Sequence, residues 1–294
     1  MKILLFGAGG LLGRHLAGEF PAHGHDVTTL DHQAADITDG RRLDELFTAH
    51  HDVVVNAAAV CDFDACERDP VGTGRVNREA PLDLARRCAA HEALFVQFSS
   101  DYVFRGDLGR PLTEEDQPDP LSVYGRQKAD LEQLIPRLCP RSLVVRLSWL
   151  YGPDGRTFMS LLPSLLIRQE TLRVAAGKTG RCLYAPDAAH WIRRLVENGH
   201  TGLYNLVNQG DTSWEEFARV CLDILTTNGQ APSCRHIQEV PYTQLGPGWE
   251  KRPRHSSLDT AKLAAALPPG PRPWREALAG YLQHPKSIAS TAAV

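Results

Sequence analysis

The chain opens on Lys2-Ile3-Leu4-Leu5-Phe6, a short apolar run, followed at once by Gly7-Ala8-Gly9-Gly10-Leu11-Leu12-Gly13. A strand that turns into a helix through glycines restricts the fold more than any other stretch. The glycines permit the tight turn, let the backbone approach a pyrophosphate, and seat the helix on the sheet. The pattern is GxxGxxG, framed by Gly7, Gly10 and Gly13, because position 12 is Leu. The helix that follows offers free N–H groups and a partial positive charge to phosphate. Gly7, Gly10, Leu11, Leu12 and Gly13 are therefore candidate dinucleotide contacts. A packing turn without a ligand is the structural alternative.

The rest of the first half alternates. Strands are expected at Lys2–Phe6, Val27–Leu30, Asp52–Asn56, Leu94–Phe98 and Leu143–Leu147. Helices are expected at Leu11–Phe20, Leu43–Ala49, Asn77–His91 and Ser122–Leu138. This order argues for an α/β fold, a Rossmann-type doubly wound parallel sheet with helices on both faces. Residues 1–150 read as the dinucleotide-binding domain. Residues 151–294 read as a smaller α/β substrate domain, with room for the chain to cross back to the first. There, Thr157–Gln169 has helical spacing, and Ser213 with Glu216 forms a capping-box pattern. The tail from Ser287 to Val294 reads as frayed.

Ligands of open α/β sheets bind beyond the carboxyl ends of the strands. Asp31 ends the second strand and is placed to accept from ribose hydroxyls and to repel a 2′-phosphate; a solvated turn acid fits it equally. Asn56-Ala57-Ala58-Ala59 ends the third, with side chains small enough for a diphosphate to lie close. Ser99-Ser100 and Ser148-Trp149 end the next two. Tyr124 and Lys128 stand four apart, on one face of the expected helix. A cation beside a phenol lowers its pKa from about 10 toward the range of proton exchange near neutrality. A Ser100 hydroxyl would meet the same reacting oxygen. YxxxK alone is weak; convergence of Gly7–Gly13, Asn56–Ala59, Ser100 and Trp149 on one crevice gives it value.

Composition narrows the classes. The 294 residues are 43% hydrophobic and 23% charged, with net charge −3, which gives no electrostatic footprint for nucleic acid or a membrane surface. No apolar run approaches the ~20 residues of a bilayer span, and no signal peptide is evident. Seven cysteines without CxxC spacing read as reduced thiols of a cytoplasmic protein. His23, His25, His32, His50 and His51 fall in expected loops, and no metal site is predicted.

Several longer segments carry a resemblance: KILLFGAGGLLG, DITD, NAAA with Asp64 and Glu67, FSSDYVFRG, SVYGRQKADLE, VVRLSWLYGPDG, GLYNLVNQGDTSWEEFA, KRPRHSSLD and PRPWREAL. Across nearly the whole chain these are similar to extended short-chain dehydrogenases/reductases, and within that group to the dTDP-4-dehydrorhamnose reductases. The resemblance implies hydride transfer from NADPH or NADH to the 4-keto group of a nucleotide-linked 6-deoxy sugar. It casts Tyr124 as general acid, Lys128 as the residue that lowers the Tyr pKa and binds the nicotinamide ribose, and Ser100 in a place where the family usually has Thr. It adds Asp36, Ile37, Asn77 and Ser99 to the cofactor contacts. Tyr102, Trp149, Arg181 and Arg252 become substrate contacts, Arg252 as a clamp for the diphosphate or else part of an exposed charged loop.

The sequence departs from the family on the sugar side. Where relatives read DQxGxPT, this chain has Gly177-Lys178-Thr179-Gly180-Arg181-Cys182-Leu183. Arg156-Thr157-Phe158 replaces Asn-Asn-Phe. His15 stands where some relatives carry an acid that helps a magnesium-bridged dimer. A changed keto sugar or product configuration is the expectation, with loop drift as the alternative. Cofactor preference and a homodimer stay open. Two other readings remain: an epimerase that retains its cofactor, and a dinucleotide-binding regulatory subunit.

Overall fold

The computed structural model describes residues 1–246 and 248–289. In chain order the elements are β1 (Lys2–Phe6), α1 (Leu11–Ala22), β2 (Asp26–Leu30), α2 (Gly40–Leu46), β3 (Val53–Asn56), α3 (Phe63–Arg68), α4 (Pro70–Gly74), α5 (Ala80–Ala90), β4 (Leu94–Ser100), α6 (Val123–Leu138), β5 (Ser142–Leu147), β6 (Leu150–Tyr151), α7 (Phe158–Arg168), β7 (Thr171–Ala175), β8 (Thr179–Gly180), β9 (Leu183–Tyr184), α8 (Ala185–Glu197), β10 (Gly202–Leu206), β11 (Thr212–Ser213), α9 (Trp214–Thr227), β12 (His236–Val240), α10 (Ala261–Ala266), α11 (Trp274–Gln283) and α12 (Lys286–Ala289). The main sheet has six strands in the order β10-β5-β4-β3-β1-β2. All its pairings are parallel. Strand order reverses beside β1, so the glycine turn lies at the switch point of the sheet.

The period-2 alternation of the strands decides the two faces. Ile3, Leu5, Val53, Val55, Val96 and Val145 pack with Leu16 and Phe20 of α1 and with Trp191 and Ile192 of α8. Leu4, Phe6, Val54, Phe95 and Val144 pack on the other face with Leu43, Leu84, Leu131 and Ile135. Both faces are covered, which is why these strands read as continuous apolar runs. A further core gathers Met159, Leu162, Phe217, Cys221, Trp274 and Tyr281 from α7, α9 and α11.

Some boundaries differ from the sequence expectation. The helix expected at Leu43–Ala49 starts earlier, at Gly40, because the Asp39 carboxylate accepts from Arg41 N and Arg42 N. The one expected at Asn77–His91 is α5 preceded by a π-helical turn over Arg75–Glu79. Ser287, expected in a frayed tail, lies in α12 and is buried; Ser290–Val294 lie outside the described residues. The sixth strand of the sheet, β10, comes from the C-terminal half. Among the described residues no helix is long and apolar enough to cross a membrane.

Candidate active site

The glycine turn is built as its spacing demands. A β carbon at Gly13 would fall 2.0 Å from the Gly7 carbonyl oxygen, so no larger residue fits there without moving the turn. Gly10 is the N-cap of α1 and supplies no side-chain cap, which leaves the first N–H groups of the helix for a ligand. Beside it a cavity of about 360 Å³ is lined by Ala8, Gly9, Arg14, Thr29, Asp31 and Ala34. An uncapped helix N-terminus opening on a cleft of that composition fits a dinucleotide phosphate and ribose.

The catalytic candidates meet at the ends of β4 and α6. Ser122 caps α6 by accepting from Gly125 N at 3.0 Å, and the Glu67 carboxylate accepts from Val123 N at 2.7 Å. A β carbon at Gly125 would lie 2.2 Å from the Tyr102 carbonyl oxygen. That close approach brings the Tyr124 ring edge-on to Tyr102, centroids 5.9 Å apart. One turn on, Lys128 is 2% exposed. Its Nζ donates to the Phe98 carbonyl at 3.1 Å and lies 5.7 Å from the Tyr124 ring centroid. Ser100 ends β4, accepts from Tyr102 N at 3.2 Å and donates to Asp101 Oδ1 at 3.0 Å.

The electrostatics correct one expectation. Tyr124 is not acidified: burial pushes its phenol well above the ordinary value, and Cys61 and Asp101 push the same way. Burial also lowers the Lys128 ammonium. The lysine points at a carbonyl rather than at the phenol oxygen, so desolvation outweighs its field.

The other candidates also make contacts within the scaffold. Ser99 faces the opposite side of β4 from Ser100 and donates to Glu132 at 2.5 Å. Glu132 and Arg146 form a pair with side chains 4% and 1% exposed. Asn56 donates to Gln97 and accepts from Ala58 N. Asn77 clamps Val60 through its N–H and its carbonyl and also donates to Gln127. Ile37 packs into the core under β2. Asp36 is turned onto Thr38, whose N–H and hydroxyl hold its carboxyl below the usual range. Asp31 accepts from Gln33 N and Ala34 N at the cleft. The Arg181 guanidinium is held by Asp211 and the Leu258 carbonyl. His15 is half-buried on α1, its pKa lowered by that burial. Among the described residues, no group of three His, Cys, Asp or Glu is placed to hold a metal.

The comparison with known proteins decides the family. The sequence model of the RmlD substrate binding domain family matches residues 1–287. The chain belongs to that family. It is 34% identical to a dTDP-4-dehydrorhamnose reductase of Streptomyces griseus over 94% of this chain and 91% of that one. It is 32% identical to the spore coat polysaccharide biosynthesis protein SpsK of Bacillus subtilis, over 97% and 98%. Among solved structures it resembles the dTDP-4-dehydrorhamnose reductase of Bacillus anthracis in complex with NADP, with TM-score 0.88, 26% identity and coverage of 96% and 98%.

Opposite Tyr124, this RmlD-family chain places a cluster of aromatic rings and cations. Trp149 is held at φ +40°, an uncommon conformation for so large a residue. Its Nε1 is buried without a partner, as are Trp214 Nε1 and Arg252 Nε. Arg252 lies over Phe63 at 4.2 Å and Trp249 at 4.6 Å, and reaches Tyr102 Oη at 3.4 Å. Lys251 pairs with Glu67, which ties this loop to the start of α6. Buried donors without acceptors are uncommon in a folded protein. Sequence alone gave no signal for Ser256, which donates to Asp101 at 2.6 Å, or for the burial of Lys178.

Proposed function

We propose that the protein reduces the 4-keto group of a dTDP-linked 4-keto-6-deoxy sugar, with NADPH or NADH as reductant. The observation that carries this reading is the meeting of Tyr124, Lys128 and Ser100 between a dinucleotide cleft and a cluster of buried donors without partners. Relatives named as dTDP-4-dehydrorhamnose reductases, one of them bound to NADP, support it. The dinucleotide, when bound, supplies the hydride. The uncapped N-terminus of α1 would receive its diphosphate, and Lys128 would hold the ribose next to Tyr124.

Tyr124 then gives its phenolic proton to the carbonyl oxygen as that oxygen gains charge, so ketone, hydride and proton become an alcohol. General acid catalysis needs this phenol protonated and within reach of the reacting oxygen. The Ser100 hydroxyl is the second polar group on the same side. Arg252 and the Trp149 indole N–H would accept the sugar nucleotide on the far side, Arg252 because its donors match phosphate. A cytoplasmic setting, with all seven cysteines free, and a monomer or homodimer belong to this reading.

The test is oxidation of NADPH and NADH by the purified protein against a panel of dTDP-4-keto-6-deoxy sugars. Turnover with one member supports the reading and names the sugar. Tight dinucleotide binding without turnover on any member sinks it and favours an epimerase or a binding subunit.

A further inference from the structure

The short helix α3 meets two partners with one face. Phe63 and Asp64 stand four and three residues before Glu67, so the three side chains project the same way. The first partner is the start of α6, the helix that carries Tyr124. Glu67 Oε1 accepts from Val123 N at 2.7 Å. Phe63 meets Tyr102 edge-on, with ring centroids 6.2 Å apart, and Tyr102 meets Tyr124 in turn. The second partner is the loop Gly248–Arg252 from the C-terminal half. Glu67 Oε2 accepts from Lys251 Nζ. Arg252 lies over Phe63 at 4.2 Å, with its guanidinium 4.0 Å from the Asp64 carboxylate. Gly248, at φ +85°, passes so close that a β carbon there would lie 3.2 Å from Phe63 Cε1.

On its other side the same loop belongs to the sugar half. Trp249 packs edge-on against Trp214 and against Tyr242, with centroids 5.7 Å apart in both pairs. The loop thus runs from the aromatic cluster to a helix of the dinucleotide half, and Glu67 touches both the loop and the catalytic helix. The two oxygens of a carboxylate can accept separately. One answers a first-turn N–H of α6, which has no partner within its own helix. The other answers a cation. The Glu67 side chain is 18% exposed and that of Lys251 46%. Burial works to raise the Glu67 pKa, yet Lys251 and the Val123 N–H hold it below the usual carboxylate range.

We propose that Glu67 is a positioning residue for the keto reduction: it locks the loop Gly248–Arg252 to the first turn of α6, so that Arg252 and Tyr124 are held in one frame. The inference rests on the reductase reading, in which Arg252 receives the sugar nucleotide and Tyr124 protonates the carbonyl oxygen. A misplacement of about 1 Å can cost roughly 10²-fold in rate, and one carboxylate ties both ends of that span.

The test measures kcat and KM on the keto sugar the wild type reduces, and NADPH affinity by fluorescence titration. Lys251→Met cuts the loop contact and leaves Glu67 on Val123. KM for the sugar is expected to rise about two- to fivefold, as the loss of a half-exposed ion pair implies, with kcat and NADPH affinity unchanged. Lys251→Arg keeps a cation and should stay at the wild-type KM. Glu67→Gln keeps an acceptor for the Val123 N–H but no charge for Lys251, so it should match Lys251→Met. Adding Lys251→Met to Glu67→Gln should raise KM no further, because the two remove one contact. Glu67→Ala loses both contacts and should also lower kcat, by about tenfold. A merely structural Glu67 would reduce the amount of folded enzyme, and so kcat, without moving KM. KM unmoved in both Lys251→Met and Glu67→Gln overturns the inference, as does a Lys251→Arg as weak as Lys251→Met. So does a kcat for Glu67→Ala equal to that of Glu67→Gln; if Glu67→Ala does not fold, the other variants decide. A wild type inactive on every keto sugar sinks the reductase reading and the inference with it, whereas an active wild type with KM unmoved in the variants sinks the inference alone.

Discussion

The two halves of the cleft are built on opposite plans. On the dinucleotide side the polar side chains are already satisfied by the protein: Asn56 by Gln97 and Ala58, Asn77 by Val60 and Gln127, Asp36 by Thr38. What remains for a ligand there is backbone, glycine and the end of α1. On the sugar side the buried donors Trp149 Nε1, Trp214 Nε1 and Arg252 Nε lack partners, and a lysine is sealed beneath the rings. A ligand shared by a superfamily can be held by backbone, which any sequence supplies. A ligand particular to one chain needs side chains kept waiting for it. On the proposed reading, selectivity belongs to the second half.

The sharpest way to break this contrast is at the junction. Tyr124→Phe is expected to lower kcat by about 10²–10⁴-fold while dinucleotide affinity, by fluorescence titration, stays within a few-fold. Near-normal turnover would remove Tyr124 from the mechanism. Behind the sheet, Glu132→Ala strands Arg146 and frees Ser99. It is expected to cost about 3–5 kcal/mol of stability in urea unfolding, and a loss under 1 kcal/mol would show that the pair is not a closed buried unit. On the sugar side, Arg252→Ala is expected to raise KM for the sugar nucleotide about tenfold, as the loss of a charged hydrogen bond implies. NADPH affinity should not move; if it does, the halves are not separable. The smallest effect is at Asp31, which lines the dinucleotide cavity with Arg14. Removing one charge near a 2′-phosphate is worth about 1 kcal/mol in water, so Asp31→Ala should shift the NADPH/NADH ratio of kcat/KM toward NADPH by roughly fivefold.

The sequence made the dinucleotide half legible because its signals are local. A strand, a glycine frame and the start of a helix lie within thirteen residues, and their spacing alone states their geometry. Ser99 and Ser100 show where that stops. Both end the same strand, yet alternation sends one to Glu132 and the other to Asp101. Tyr124 shows the same limit: helical spacing reports that a cation is near, not that burial outweighs it. Arg181 and Arg252 look alike in sequence, and only the fold pairs the first with Asp211. Ser256 and Asp101 stand 155 residues apart, and no periodicity connects them.

The sheet takes its last strand from late in the chain, and this bears on how the protein comes into being. When the first 150 residues have left the ribosome, β5 is still an open edge, because β10 has not been made. Trp191 and Ile192, which close the apolar face of α1, are also missing. An unpaired edge and an uncovered helix invite association with other chains. The nucleotide-binding half therefore cannot be cut free as a working module. A fragment ending at residue 150 should precipitate or recruit chaperones, and adding residues through 206 should restore a soluble sheet.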